Sequence, residues 1–202
     1  MNIEELELKY IKLLLERCLN IKKSDSLFIS YDTENQKFID KLVEYAKEMG
    51  YKDIYLDGTD HNYKHDVLKQ ITLEEIDSNP LFLKGKWDEY AKKEANFLLL
   101  VTEVPGLMEH IDKDKLARVN YLARSSKPIY CEKQAFNLIP WCIAALPGKD
   151  WADKLFPNSE NAYLELEKYI LQMCMIDTEE PVNSWNDYLN EQKHKPVQGT
   201  YR

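Results

Sequence analysis

The sequence predicts an α/β protein: a doubly wound, mostly parallel sheet with helices on both faces and a helical C-terminal extension. Three observations carry this reading. Short apolar, β-prone runs alternate with longer amphipathic stretches, the rhythm of right-handed βαβ crossovers. The most apolar run, "FLLLV" at 97–101, reads as the buried centre of a parallel sheet. The chain has 202 residues, 44% hydrophobic and 31% charged, enough for one soluble domain with its own core.

Taken in order, residues 3–19 place Leu6, Tyr10, Leu13, Leu14 and Cys18 at helical spacing. "DSLFISYD" (25–32) predicts the first strand, and 34–50 a helix closed by Gly50. "YKDIYLDG" (51–58) predicts the second strand, 66–77 one helix, 86–95 another, and "NFLLLVTEV" (96–104) the central strand. A helix over 112–127 opens among aspartates, and "PIYCEK" (128–133) reads as a further strand. "LIPWCIAALPGKDWADKLFP" (138–157) reads as a buried strand, a proline-bounded turn and an amphipathic helix whose tryptophans pack. Ser159 is the expected N-cap of a helix over 159–176, and Pro181 sits in the first turn of a last short helix. Residues 1–190 are thus expected to form a single α/β domain, with 191–202 a polar tail or truncated linker.

Composition excludes several functions. With 27 basic and 35 acidic residues the formal charge is -8, which repels phosphate backbones, and no basic face offsets it. Nucleic acid is therefore not an expected partner. Nor is a membrane: no apolar run is long enough to span one, and "MNIEELELKY" is acidic, unlike a signal peptide. Cys18, Cys131, Cys142 and Cys174 are scattered without a CxxC, as expected of reduced thiols in a cytoplasmic protein. With six glycines, the chain carries neither GxGxxG nor GxxxxGK[ST].

Two stretches could carry chemistry. In "DGTDHNYKHD" (57–66), His61 and His65 would share a helix face, flanked by Asp60 and Asp66; Asn62 stands where a zincin needs glutamate. The alternative is a polar loop entering a helix. "TEVPGLMEHIDKD" (102–114) follows the central strand, where doubly wound folds place ligands, and offers Glu103, Glu109, Asp112 and Asp114 for acid–base or metal work. Helix-capping explains Asp112 and Asp114 equally well. His110 and His194 stand alone, and Tyr10, Tyr45, Tyr90, Tyr121, Tyr163 and Tyr169 read as packing residues beside leucines and isoleucines. From the residues alone no catalytic, metal or cofactor-binding residue is assigned.

The stretch from 141 to 157 adds a resemblance. Trp141, Ile143, Ala144, Ala145, Pro147, Trp151, Ala152, Phe156 and Pro157 resemble a segment in the amino-terminal domain of the thermophilic metallo-aminopeptidases, the aminopeptidase T and S type. "LNIKKSDSLFIS" looks like that family's entry into its first strand, and "VPGLMEHIDKDKLAR" like its strand-end loop and next helix. "AYLELEKYILQMCMIDTEEPVNSW" resembles its following helix, Asp-x-x-x-P turn and closing Trp helix, so the likeness runs from about 3 to 190.

The family's metal ligands lie in a carboxy-terminal half that this sequence does not reach. The resemblance therefore implies a non-catalytic amino-terminal domain, inactive alone. Its implied partner is the catalytic carboxy-terminal half of the same polypeptide, in a homodimer, with two divalent zinc- or cobalt-type ions held by that half. The alternative readings are a stand-alone module binding a small ligand or peptide at the strand carboxyl ends, and an independent enzyme using His61, His65 or the acidic loop.

Overall fold

The computed structural model describes residues 2–19 and 24–193. Its sheet has four strands: Ser26–Asp32 (β1), Asp53–Thr59 (β2), Asn96–Val101 (β3) and Trp141–Ala145 (β4). All pairings are parallel and the order is β2-β1-β3-β4, with Leu27 opposite Ile54 and Asn96, and Phe97 opposite Trp141.

The helices are Ile3–Lys12 (α1), Gln36–Glu48 (α2), His61–Gln70 (α3), Leu73–Ile76 (α4) and Gly85–Lys92 (α5). They continue with Lys113–Ser125 (α6), Pro128–Ala135 (α7), Lys149–Leu155 (α8), Ala162–Met173 (α9) and Pro181–Lys193 (α10). The sheet is wound on both faces, and strand alternation divides the core accordingly. Leu27, Ile29, Leu98 and Leu100 bury against α1 and the turn that continues it, α2 and α9 through Ile11, Leu14, Ile39, Leu42, Leu166 and Ile170. Phe28 and Phe97 point the other way into an aromatic cluster with Trp87, Tyr90 and Tyr130 from α5 and α7. Its rings sit close, 4.8 Å between Phe28 and Trp87 and 4.6 Å between Phe97 and Tyr130. Each buried side chain of this size contributes roughly 1.5–3 kcal/mol. Leu68, Ile76, Phe82, Ile111 and Val119 form a smaller cluster joining α3, α4 and α6.

Several sequence expectations are met. Gly50 takes φ 101° just past α2, the left-handed conformation that glycine adopts without strain. Others are corrected. Residues 128–133 are helical, not a strand: Pro128 sits at the first position of α7, where its fixed φ suits a helix and its missing N–H costs nothing. The helix expected over 66–77 is two helices, because Ile71 turns extended and Thr72 restarts α4 with a capping box to Glu75. Ser159 does not cap α9. Asn161 holds that place, while the Ser159 hydroxyl accepts from the Asn161 amide at 3.1 Å and donates to Glu165 at 2.7 Å.

The first helix widens into a π-helical turn at Leu13–Cys18. Leu13, Leu14 and Leu15 are all buried there, more of the circumference than a single apolar stripe covers. The strand at 141–145 is an edge strand, with the Ile143 side chain 55% exposed, so it is not the buried strand its composition predicts. Residues 191–193 belong to α10; the rest of the stretch expected as a tail lies outside the described residues.

Candidate functional site

Strand order reverses between β1 and β3, and in open α/β sheets the crevice at the carboxyl ends of such strands is where ligands bind. Here Asp32 and Asn35 arrive from β1, Thr102 from β3, His61 from α3, and Gly148 from the β4–α8 turn. Asn35 Nδ2 donates to Thr102 Oγ1 at 2.8 Å, and the Tyr163 hydroxyl donates to Asn35 Oδ1 at 3.4 Å. Asp32 accepts from the Glu34 amide at 2.8 Å and pairs closely with His61 Nδ1. Burial alone would raise the Asp32 carboxyl, but the hydrogen bonds from His61 and the Glu34 amide outweigh it and hold it below the ordinary range.

Glu34 reaches across to α8. Gly148, its N-cap, has no side chain to offer the first amides, and Glu34 Oε1 accepts from Lys149 N at 2.6 Å instead. Burial pushes the Glu34 carboxyl up, with Asp32 and Asp150 adding to the effect and the Lys149 amide opposing it. These contacts bridge the crevice between the strand ends. The cavity beside Asn35, Leu146, Pro147 and Tyr163 holds about 20 Å³, room for a single water. Chemically the arrangement is a polar clasp between strand ends.

The residues singled out from sequence do not assemble. His61 and His65 do lie four apart on α3, but His61 turns to Asp32, while His65 is buried with Nδ1 3.3 Å from Asp66. Asp60 caps α3 by accepting from the Tyr63 amide at 2.8 Å. Asp112 caps α6, accepting from the amides of Asp114 and Lys115 at 3.0 and 3.1 Å. Glu103, Glu109 and His110 are exposed on their loop, Asp114 is exposed in the first turn of α6, and His194 lies outside the described residues. Of the six tyrosines, Tyr10 and Tyr90 are buried in the core, while Tyr121 and Tyr169 are more than half exposed.

Sequence reasoning missed two arrangements. One is the Asp32–His61 pair. The other is the gathering of Cys18, Cys142 and Cys174 around a single apolar groove of about 460 Å³ beside β4. Both join residues far apart in the chain, which no local spacing reveals.

The family profile described as "Thermophilic metalloprotease (M29)" matches residues 3–197. The chain belongs to the M29 family. Among curated relatives it is 26% identical to aminopeptidase PepS of Streptococcus thermophilus, over 92% of this chain and 45% of that protein. It is also 26% identical to aminopeptidase 2 of Geobacillus stearothermophilus, over 98% of this chain and 51% of that one. The structure of wild-type AmpT from Thermus thermophilus shares the fold, with a TM-score of 0.76 at 20% identity over 94% of this chain and 49% of that one. The chain thus spans about half the length of the relatives it matches. For an M29 metallopeptidase a metal is implied, but the residues at hand do not fit one. Among the described residues no three His, Cys, Asp or Glu side chains converge on a point that could hold an ion. In addition, no helix among them is long and apolar enough to cross a membrane.

Proposed function

We propose that this chain is the non-catalytic amino-terminal domain of a dinuclear metal-dependent aminopeptidase. In this reading the ions and the chemistry belong to the carboxy-terminal half, two such polypeptides associate as a homodimer, and the setting is the cytoplasm. This domain supplies a docking face and shapes access to the active centre. The observation that carries the reading is coverage: the M29 match takes in nearly the whole chain, yet the chain accounts for about half of each aminopeptidase it resembles. The β4 edge supports the docking role, since Trp141 and Ile143 stand exposed on a strand that, among the described residues, has no neighbouring strand on its outer side.

The test is an activity and metal measurement on the purified chain. It is expected to release no p-nitroaniline from leucine p-nitroanilide with added zinc or cobalt, and to retain less than stoichiometric metal after buffer exchange. Turnover by a clean sample that a chelator abolishes would overturn the reading.

A further inference from the structure

Cys18 ends the π-helical turn and Cys142 is the second residue of β4, on the strand face turned toward that turn. Both line the apolar groove, together with Cys174, Leu13, Ile143 and Trp185. The two thiols stand close enough in this groove for each to shift the other, and the Cys142 S–H donates to the Ile143 carbonyl at 3.7 Å. Cys174 is turned aside, its thiol against the Tyr10 hydroxyl and its carbonyl accepting from Trp185 Nε1 at 2.7 Å. Cys18 is exposed whereas Cys142 is half-buried.

We propose that Cys18 and Cys142 form a reversible thiol-oxidation site, Cys18 reacting with peroxide and Cys142 resolving the product as an intramolecular disulfide. The electronic placement agrees with these roles. The neighbouring Cys142 thiol lowers the Cys18 thiol, helped by the Arg17 guanidinium and opposed by burial. The nearness of Cys18, together with burial, pushes Cys142 up. The more readily ionised thiol is therefore the accessible one, beside a partner that keeps its proton.

In the first step the Cys18 thiolate attacks one peroxide oxygen, the O–O bond breaks, and the departing hydroxide takes a proton to become water, leaving a sulfenic acid. In the second, the Cys142 sulfur attacks the Cys18 sulfur, the S–O bond breaks, and the leaving hydroxide takes the Cys142 proton as a second water. Two thiols and one peroxide give one disulfide and two waters. The bond ties the π-helical turn to the edge strand and narrows the groove between them. Dithiothreitol restores both thiols.

The experiment treats the full chain with hydrogen peroxide and counts thiols in denaturant, followed by a non-reducing peptide map. The four cysteines, all free before treatment, are expected to fall to two once the Cys18–Cys142 pair is bonded, and the map should show that pair. Cys142→Ala should stop at a Cys18 sulfenic acid that dimedone traps, while Cys174→Ala should still form the disulfide. A Cys18–Cys174 bond, a bond between chains, or oxidation of Cys131 ahead of Cys18 would overturn the proposal. Should a variant fail to fold, the wild-type map alone decides between these outcomes.

Discussion

Glu167 on α9 faces Glu7 on α1 across a narrow gap, with Lys41 of α2 paired to Glu7 at 2.6 Å and Tyr163 alongside. Burial and the neighbouring Glu7 push the Glu167 carboxyl up to about 7, with Lys41 opposing. In the unfolded chain the same carboxyl titrates near its ordinary 4.5. Between those values the folded state holds the extra proton, so this group makes the fold progressively less stable as pH rises from 4.5 through about 7. Glu167→Gln should therefore stabilise the protein at pH 8, by about 1 kcal/mol once solvent screening of a half-exposed group is allowed for. Near pH 4 the same substitution should have little effect. Urea denaturation of both proteins at the two pH values checks this, and an equal difference at both would dismiss the pair as the cause. Nothing local in the sequence marks Glu167, since its partner stands at the other end of the chain. The same holds for the Asp32–His61 and Cys18–Cys142 pairs. Side chains whose partner is a neighbour in sequence were legible: Asp112 as a cap and Gly50 as a helix stop were both readable from composition alone.

Helices and strands were readable where one local rule dominates, and misread where two compete. The run "PIYCEK" has the apolar content of a strand, but Pro128 favours a helix start, and as a helical residue Tyr130 buries its ring in the aromatic cluster against Trp87 and Phe97. The break between α3 and α4 did have a signature, the Thr72-x-x-Glu75 capping box. The turn from β4 into α8 illustrates a constraint visible only in three dimensions. A Cβ on Gly148 would sit 2.4 Å from Thr102 Cγ2 and 3.2 Å from Glu34 Oε2, so the strand ends close around a residue with no side chain. Gly148→Ala should destabilise by about 1–3 kcal/mol through this overlap. Thr102→Ser removes the clashing methyl while keeping the hydroxyl that accepts from Asn35. The double variant should thus recover much of the loss in a thermal or urea melt, a coupling that independent sites would not show. Additive losses would mean that α8 shifts as a body instead.

The two edges of the sheet are built differently, and that asymmetry bears on what the whole molecule meets. Along β2 charge blunts the edge: Asp53 pairs with Lys93 at 3.0 Å and Asp57 with Lys84 at 3.1 Å, so another strand arriving there would have to desolvate both pairs. Along β4 the sequence Trp-Cys-Ile-Ala-Ala carries no charge, and the approach to it exposes Phe136 and Leu138 as well as Trp141 and Ile143. Uncharged, half-exposed edges of this kind are sites where another polypeptide adds on. The isolated chain is accordingly expected to associate through β4 at rising concentration, observed by sedimentation velocity, and to bind an apolar fluorescent dye there. Ile143→Lys should weaken both while leaving the melting curve almost unmoved, since an exposed substitution costs about 0.5 kcal/mol or less. Leu56→Lys on the charged β2 edge is the matched control, being similarly placed on an outer strand and partly exposed. If Leu56→Lys disrupts association as strongly as Ile143→Lys, charge alone is responsible. An effect confined to Ile143 makes β4 the face on which a second body docks, the role that the proposed aminopeptidase assembly requires of this domain.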